Sequence, residues 1–319
     1  MLLTTTTASS RDLESTLTTR TNQSHRRRRK HRPAKDATST DDLTCGRPAS
    51  SPTSAPNRRS NKNLGHRIVN GVRVPSGGMP WACAIVQSDP TFQFCDCTVI
   101  NRQWVITAGH CVADPRIQTA KIYMGITNLL DAEGEKIREI DSYFLHPQFD
   151  LRQLSPDVAL IKLASPLGNF SDNLMPACLP SRPVNATAIR RGRKNRRICY
   201  VAGWGTTFKG QNSGGKIGSG SDRLMQIAIE MFSSVDCRRN QPTNIAFNER
   251  TMICGGYDDG KTFSHCNGDS GGPLVCDEGD NRWVLHGIVS WVIDCARAPG
   301  GYTNVYGMMS FIRKTIELN

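Results

Sequence analysis

Short apolar runs separated by turn-forming residues characterise the chain from residue 68 onward. Runs of this length, rich in β-branched and aromatic residues, are typical of strands. They lie at residues 81–86, 92–100, 104–107, 121–124, 158–163, 199–202, 224–231 and 283–291. Ser88-Asp89-Pro90 predicts a hairpin turn between the first two runs. This rhythm predicts an all-β fold, either a sandwich or a barrel architecture.

The chain ends in a different pattern. Met309, Ile312 and Ile316 recur at helical spacing, which predicts a C-terminal helix at about 307–319 that docks on the body. By contrast, residues 209–221 are rich in Gly and Ser and predict a long surface loop. No run approaches the roughly 20 apolar residues that cross a bilayer, so we expect no membrane span.

Residues 1–67 have the composition of a disordered segment, rich in Thr, Ser, Arg and Pro. They hold 14 Lys/Arg against 5 Asp/Glu, a net charge of +9 out of the chain's +12. The basic run at 25–32 is also typical of nuclear-localisation or nucleic-acid-binding tails. We favour a solvated, cleavable tail, because the body that follows is rich in cysteine.

The twelve cysteines are dispersed and even in number, which favours disulfides over a metal site. Cys95 and Cys97 form the only close pair, and no second pair completes a zinc pattern. Disulfides predict an oxidising compartment, so we expect a secreted, extracellular protein. Residues 1–7 contain no apolar core of signal-peptide length, and we favour a start that is missing from this sequence over an unusual export route.

Three polar residues on separate stretches could carry chemistry together. Ser270 lies in the Gly-rich turn 266–273, His110 follows the strand 104–107, and Asp157 precedes the strand 158–163. Each alone is more often structural: a surface turn, a buried histidine and a residue at a strand start. Together they supply a nucleophile, a base that titrates near neutral pH and a carboxylate that orients the base. Their order along the chain, His then Asp then Ser, is that of the chymotrypsin type.

Residues 68–319 resemble the trypsin/chymotrypsin family of serine endopeptidases. The matching motifs are Ile68-Val69-Asn70-Gly71, Thr107-Ala108-Gly109-His110-Cys111, Asp157-Val158-Ala159-Leu160, Gly203-Trp204-Gly205, Gly268-Asp269-Ser270-Gly271-Gly272-Pro273 and Ser290-Trp291. The resemblance implies two six-stranded antiparallel Greek-key β-barrels with the active site between them. It implies barrel 1 at about 68–181, barrel 2 at about 182–306, and the C-terminal helix after them. Residues 1–67 would be a prosegment.

The resemblance also assigns roles. Ser270 would be the nucleophile, His110 the general base and then acid, and Asp157 the orienting carboxylate. The backbone N–H groups of Gly268 and Ser270 would form the oxyanion hole. The reaction would be peptide hydrolysis on protein or peptide substrates, and a protein inhibitor is a further expected partner.

An activation step follows from the same resemblance. Cleavage after Arg67 by a trypsin-like protease would free the α-amino group of Ile68. That cation would pair with the buried carboxylate of Asp269 and draw Gly268 into its oxyanion position. A buried carboxylate without a partner is costly, so the new charge can drive this rearrangement.

The family's disulfide pattern implies five bridges here: Cys45–Cys178, Cys95–Cys111, Cys199–Cys276, Cys237–Cys254 and Cys266–Cys295. Cys83 and Cys97 are outside that pattern. They are equally distant from residue 90, the proposed turn centre, so we expect them to face each other across the hairpin and form a sixth bridge. Two buried free thiols are the alternative.

The predicted specificity pocket departs from the family. Ser264 stands where trypsin-like members carry an aspartate, and His265 beside it is bulkier than usual. On the opposite wall are Ser290, Trp291, Val292 and Gly300. These residues predict a shortened pocket for a small or medium apolar side chain, while a protonated His265 could instead favour an acidic one. Asp96-Cys97 replaces the usual Gly-Gly, which we attribute to the additional bridge and not to chemistry.

Three further surface features bear on ligands and modification. Glu133 and Glu135 are potential calcium ligands, but Ile126 stands where a third carboxylate is expected, so we expect no metal, and no other cofactor. Asn22, Asn169 and Asn185 lie in N-glycosylation sequons. Six positive charges at 190–197 are either a solvated loop, which we favour, or an exosite for a polyanion.

Two alternative functions remain open from the sequence. A non-catalytic protease homologue that acts as a binding or cofactor protein usually has a replaced triad residue, whereas all three are present here. A nucleic-acid-binding protein would use the basic tail. The cysteine framework and the lack of a recognition motif argue against nucleic acid as a partner.

Overall fold

The computed structural model describes residues 45–52, 71–88, 91–190, 193–205, 221–242, 244–256, 269–292 and 299–319. Among them, no helix combines the length and the apolar character that crossing a bilayer requires.

The first six-stranded barrel is built from antiparallel strands that follow one another closely in the chain. Its strands are β2 (Ala82–Ser88), β3 (Thr91–Val99), β4 (Trp104–Thr107), β5 (Ala120–Met124), β6 (Ile137–Leu145) and β7 (Ala159–Leu163). They close in the order β2-β3-β4-β7-β6-β5. Trp81, Ile85, Ile106, Ile122 and Leu160 are fully buried in its core. In β5 buried and half-buried residues alternate, as expected for a strand with one face inside.

The second barrel uses β10 (Ile198–Gly203), β11 (Met225–Met231), β12 (Met252–Gly256), β13 (Pro273–Asp277), β14 (Trp283–Val292) and β15 (Gly300–Asn304). These six are neighbours in the order β11-β10-β13-β14-β15-β12, and pairing of β11 with β12 closes the ring. The short β1 (Val72–Arg73) pairs with β11. Residues 72–73 therefore belong to the sheet of the second barrel, although the expected boundary put them in the first.

In the part of the chain that the structure describes, three α-helices and one hairpin lie outside the barrels. The helices are α1 (Gly109–Ala113), α2 (Ser234–Arg239) and α3 (Val305–Leu318), and β8 (Thr187–Arg190) pairs with β9 (Arg193–Arg196). The C-terminal helix α3 begins two residues before the expected position. Ile312 is fully buried in the core, and Met309 and Ile316 pack against it half-buried, on the face that the sequence indicates.

Candidate active site

His110 and Asp157 are joined directly. His110 Nδ1 lies 2.8 Å from Asp157 Oδ2, and the backbone N–H of His110 donates to Asp157 Oδ1 at 2.9 Å. The local chain allows this approach because residue 109 is glycine: a β-carbon there would lie 3.2 Å from Asp157 Oδ1 and 2.9 Å from the Leu145 side chain. Two bonds from one residue fix both the position and the orientation of the imidazole.

The second barrel supplies further hydrogen bonds to Asp157. Ser290 Oγ donates to Asp157 Oδ2 at 2.5 Å, and Thr303 Oγ1 donates to the backbone oxygen of Asp157 at 2.6 Å. The side chain of Asp157 is completely buried, whereas that of His110 is 22% exposed. The carboxylate is therefore held from both barrels, and its imidazole partner is open to a substrate.

The charge of this pair affects the titration of His110. Burial alone would lower the pKa of His110, but the negative charge and hydrogen bond of Asp157 outweigh burial and raise this pKa above its ordinary 6.5. A base with a raised pKa is a better proton acceptor, provided that the pH keeps it neutral.

Ser270 lies beside the helix that carries His110. Its backbone oxygen is 3.6 Å from Sγ of Cys111 and accepts a hydrogen bond from the N–H of Asp96 at 2.7 Å. The preceding Asp269 is fully buried, and its Oδ1 accepts from the N–H of Gly205 at 2.9 Å. All three residues of the predicted triad thus lie in the described structure, with His110 and Asp157 from the first barrel and Ser270 from the second.

The structure describes one wall of the predicted specificity pocket. Val292 pairs with Gly300, and Trp291 pairs with Gly301, across β14 and β15. The hydroxyl of Ser290 donates to Asp157 Oδ2, a contact that its assignment to the pocket did not include. Nothing in the sequence singles out this contact, since a serine in a strand has many uses. Ser264, His265, Gly268, Arg67, Ile68, Cys266 and Cys295 lie outside the described residues.

Asp96 is a buried neighbour of Ser270 that sequence reasoning did not place there. From the sequence, Asp96-Cys97 is attributed to the additional bridge, whereas in the structure Asp96 is 1% exposed and its N–H donates to the backbone oxygen of Ser270 at 2.7 Å. The N–H of Trp204 donates to Asp96 Oδ2 at 3.2 Å. The sequence contains a signal for these contacts, because an aspartate between two cysteines of a buried strand needs buried hydrogen-bond donors.

Five disulfides join the described cysteines. They are Cys45–Cys178, Cys83–Cys97, Cys95–Cys111, Cys199–Cys276 and Cys237–Cys254. Cys83 and Cys97 are paired across β2 and β3, as the hairpin argument predicts. The sulfur atoms of Cys95 and Cys111 lie within 4.8 Å of a ring nitrogen of His110, but their disulfide removes the thiolates that a metal would need.

The loop with the potential calcium ligands Glu133 and Glu135 contains a lysine. Lys136 Nζ donates to the backbone oxygen of Asp131 at 3.1 Å, and Glu133 is exposed. The side chain of Glu135 is outside the described structure. Of the three sequons, Asn169 and Asn185 are exposed, and Asn22 lies outside the described residues.

Comparison with known proteins agrees with this geometry. The family model described as Trypsin matches residues 68–312. Transmembrane protease serine 9 of Rattus norvegicus is 32% identical over 254 residues, which is 79% of this chain and 22% of that protein. The chain thus spans about a fifth of the length of this curated relative.

Proposed function

Since this chain belongs to the trypsin family of serine proteases, we propose that it is a serine endopeptidase that acts through an acyl-enzyme. The observation that carries the proposal is the His110–Asp157 pair, with Ser270 placed beside its helix. An imidazole whose Nδ1 is held by a carboxylate keeps Nε2 free to take a proton.

In the proposed mechanism, Ser270 Oγ attacks the substrate carbonyl while His110 Nε2 takes its proton. The oxyanion that forms is stabilised by the backbone N–H groups of Gly268 and Ser270, each contributing about 2.7–4 kcal/mol. His110 then gives the proton to the leaving amine, whose C–N bond breaks. His110 then takes a proton from water, whose oxygen attacks the ester carbonyl, and it returns that proton to Ser270 Oγ as the acyl C–O bond breaks.

We further propose that the chain is a zymogen activated by cleavage between Arg67 and Ile68. Support comes from Asp269, whose carboxylate is fully buried next to the nucleophile. A new ammonium group at Ile68 would pair with that carboxylate and offset the free-energy cost of burying its negative charge. The activating enzyme would be a trypsin-like protease, since the bond follows an arginine.

Labelling with an organophosphonate tests the catalytic and activation proposals together. Limited trypsin treatment of the wild-type chain should produce a labelled species that begins at Ile68. Ser270→Ala should be cut and remain unlabelled, because it lacks the nucleophile. Arg67→Gln should stay uncut at residue 67 and be labelled at least about 100-fold more slowly, because its oxyanion hole is not assembled. Labelling of Ser270→Ala would refute the nucleophile, and equal labelling of uncut and cut chains would refute the zymogen.

The proposed substrate preference is a small or medium apolar residue before the scissile bond. Val292 supports it, because it pairs with Gly300 across β14 and β15, where its side chain would narrow the pocket. A protonated His265 favouring an acidic residue is the alternative from the sequence. A peptide-library profile of the cut enzyme decides between them, and cleavage after Lys or Arg would contradict both.

The basic β8–β9 hairpin and the disulfides suggest partners outside the active site. The β8–β9 hairpin carries Arg190, Arg193, Lys194 and Arg196, a charge density that suits a sulfated polyanion. Alanine substitution of these residues should reduce retention on heparin, and unchanged retention would leave the hairpin a solvated loop. Five disulfides support a secreted, extracellular location, with a protein inhibitor among its partners.

The competing proposal is a non-catalytic homologue that binds partners in a proteolytic cascade. The phosphonate experiment separates the two, because a blocked pocket or misplaced nucleophile would leave the cut wild-type chain unlabelled. The geometry around His110 favours the active enzyme.

A further inference from the structure

Residues 150–155 form a loop between strands β6 and β7 of the first barrel. Two backbone hydrogen bonds between Asp150 and Ser155, at 3.1 and 3.3 Å, close its ends. The carboxylate of Asp150 shapes the tip, because its Oδ1 accepts from the N–H of Arg152 at 2.7 Å and from that of Gln153 at 3.3 Å. The loop is therefore held in shape by its own hydrogen bonds.

The side-chain amide of Gln153 joins this loop to the second barrel. Its Nε2 donates to the backbone oxygen of Asn244 at 3.3 Å, and its Oε1 accepts from the N–H of Ala246 at 3.0 Å. These two partners precede β12 and lie on either side of Ile245 in the chain. A side chain that satisfies a carbonyl and an N–H together needs a donor and an acceptor, and an amide offers both at a fixed separation.

Leu154, the next residue, contacts the same part of the second barrel. Its φ is 46°, in the left-handed region that residues other than glycine rarely adopt. Its half-buried side chain packs against the apolar cluster of Ile245, Met252 and Trp291. A backbone in this conformation persists only where its surroundings hold it. The amide of Gln153 and the apolar cluster together hold Leu154 in place.

The chain makes two further contacts with the second barrel as it continues toward the catalytic carboxylate. Ser155 Oγ lies 2.7 Å from Thr251 Oγ1. Asp157 accepts hydrogen bonds from Ser290 and Thr303. The catalytic carboxylate therefore has supports of its own, and these do not depend on the tip of the loop.

We propose that Gln153 is a positioning residue for the substrate. Its amide clamps the loop 150–155 to the second barrel and so holds Leu154 as a wall of the cleft beside Trp291. Trp291 belongs to the predicted pocket, and its neighbour Ser290 is bonded to the catalytic carboxylate. The clamped wall therefore contacts peptides that extend beyond the residue held in the pocket. Its effect on hydrolysis rests on the proposed endopeptidase function, whereas the clamp itself does not.

Hydrogen exchange of the uncut chain tests the clamp without any activity. Gln153→Met keeps an unbranched side chain of the same length and removes the amide. Because Ala246 is exposed, its N–H should then exchange about 5- to 10-fold faster than in wild type. Gln148→Met makes the same change at an exposed position outside the clamp, and it should leave that rate unchanged. Equal exchange rates in Gln153→Met and wild type would overturn the proposal.

Kinetics of the cut enzyme tests the role toward substrate. In Gln153→Met the KM of an extended peptide from the peptide-library profile should rise about 3- to 30-fold, because the wall is no longer held. The kcat should stay within about twofold of wild type, because Asp157 keeps its own hydrogen bonds. Labelling by a phosphonate that carries a single residue should be as fast as in wild type. A merely structural role would lower the melting temperature and leave KM unchanged.

A double-mutant cycle shows whether Gln153 acts through Leu154. Leu154→Ala removes the side chain from the apolar cluster, and it should raise KM at least as much as Gln153→Met does. The double variant should raise KM no further than Leu154→Ala alone, since the clamp then has no wall to hold. Effects that multiply would mean that the two residues act independently, and would refute the positioning role.

The outcomes distinguish this proposal from the proposed function. A cut wild type that is neither labelled nor active would refute the endopeptidase, and hydrogen exchange would still decide whether Gln153 clamps the loop. An active wild type whose KM for extended peptides is unaffected by Gln153→Met would refute the positioning role alone.

Discussion

The Asp157 carboxylate accepts three hydrogen bonds, two from His110 and one from Ser290. Its Oδ2 atom receives both His110 Nδ1 and the Ser290 hydroxyl, so the two donors compete for the same negative charge. The hydroxyl therefore moderates the attraction between the carboxylate and the imidazolium. This gives Ser290 an effect on the pH profile, although it touches no reacting atom.

Replacing Ser290 with Ala should move the acidic limb of kcat/KM to higher pH. The raised pKa of His110 already places this limb above pH 6.5, because catalysis needs the neutral imidazole. Removing the hydroxyl leaves more charge on Oδ2 and raises the pKa of His110 further. On the acidic limb the loss of one hydrogen bond should cost about 2- to 10-fold in kcat/KM. The measurement is the pH dependence of hydrolysis by the cut enzyme.

Thr303→Val is the matched control. It removes the donor to the backbone oxygen of Asp157 and leaves the carboxylate untouched. Its acidic limb should coincide with that of wild type, although the protein should be less stable. An acidic limb of Ser290→Ala that also coincides with wild type would show that the hydroxyl does not act through His110.

At the scale of elements, two irregular strands place the side chains that matter. The pairing of β14 with β15 shifts between Val289 and Trp291, so Ser290 has no partner in register and can turn toward Asp157. The pairing of β2 with β3 shifts between Ile85 and Val86, which brings Cys97 opposite Cys83 and Asp96 opposite Ala84. Hydrophobic periodicity assumes that the two faces of a strand alternate without interruption. One extra residue reverses this alternation, and only the pairing with the neighbouring strand shows where it lies.

The strands that the sequence predicts are those formed by continuous apolar runs. All eight strands predicted from apolar runs are present, because each run is continuous enough to be recognised alone. Among the barrel strands, the sequence does not predict the glycine-rich β12 and β15, the half-exposed β6 or the short, buried β13 that directly follows the nucleophile turn. Long-range pairing, and not local propensity, makes these segments strands. Motif order indicated the triad, whereas the Ser290 and Asp96 contacts depend on strand register.

Gly301 in β15 makes room for Trp291 of the neighbouring strand. A β-carbon at Gly301 would overlap the indole ring, which is 6% exposed and packs with Ile245 and Met252. Gly301→Ala should destabilise the protein by about 1–3 kcal/mol through overpacking. The melting temperature should fall by about 2–10 °C. Because Trp291 belongs to the predicted pocket, KM should rise as well.

Gly168→Ala provides the comparison for that experiment. A β-carbon at Gly168 would meet nothing within 4 Å, so the change of residue type is the same without the steric conflict. Calorimetry of both variants measures the difference. Equal melting temperatures would show that the strand pair adapts and that Trp291 is not fixed by Gly301.

At the scale of the whole molecule, the segment 45–52 connects the N-terminal part of the chain to the body. Cys45 is bonded to Cys178, and the N–H of Gly46 donates to the oxygen of Pro176 at 2.8 Å. The N–H of Trp283 in turn donates to the oxygen of Gly46 at 2.8 Å. Each such hydrogen bond contributes only about 1 kcal/mol, so the disulfide is the dominant connection.

Cleavage at Arg67 should therefore leave two fragments in one covalent molecule. Residues 1–67 and 68–319 should migrate together on a non-reducing gel and separately after reduction. In Cys45→Ser the same cleavage should release the smaller fragment under non-reducing conditions, because a few hydrogen bonds cannot hold a dilute partner. Retention of that fragment on gel filtration of cut Cys45→Ser would mean that non-covalent contacts suffice. In that case the prosegment would remain a tightly bound subunit of the enzyme, and the disulfide would only reinforce its binding.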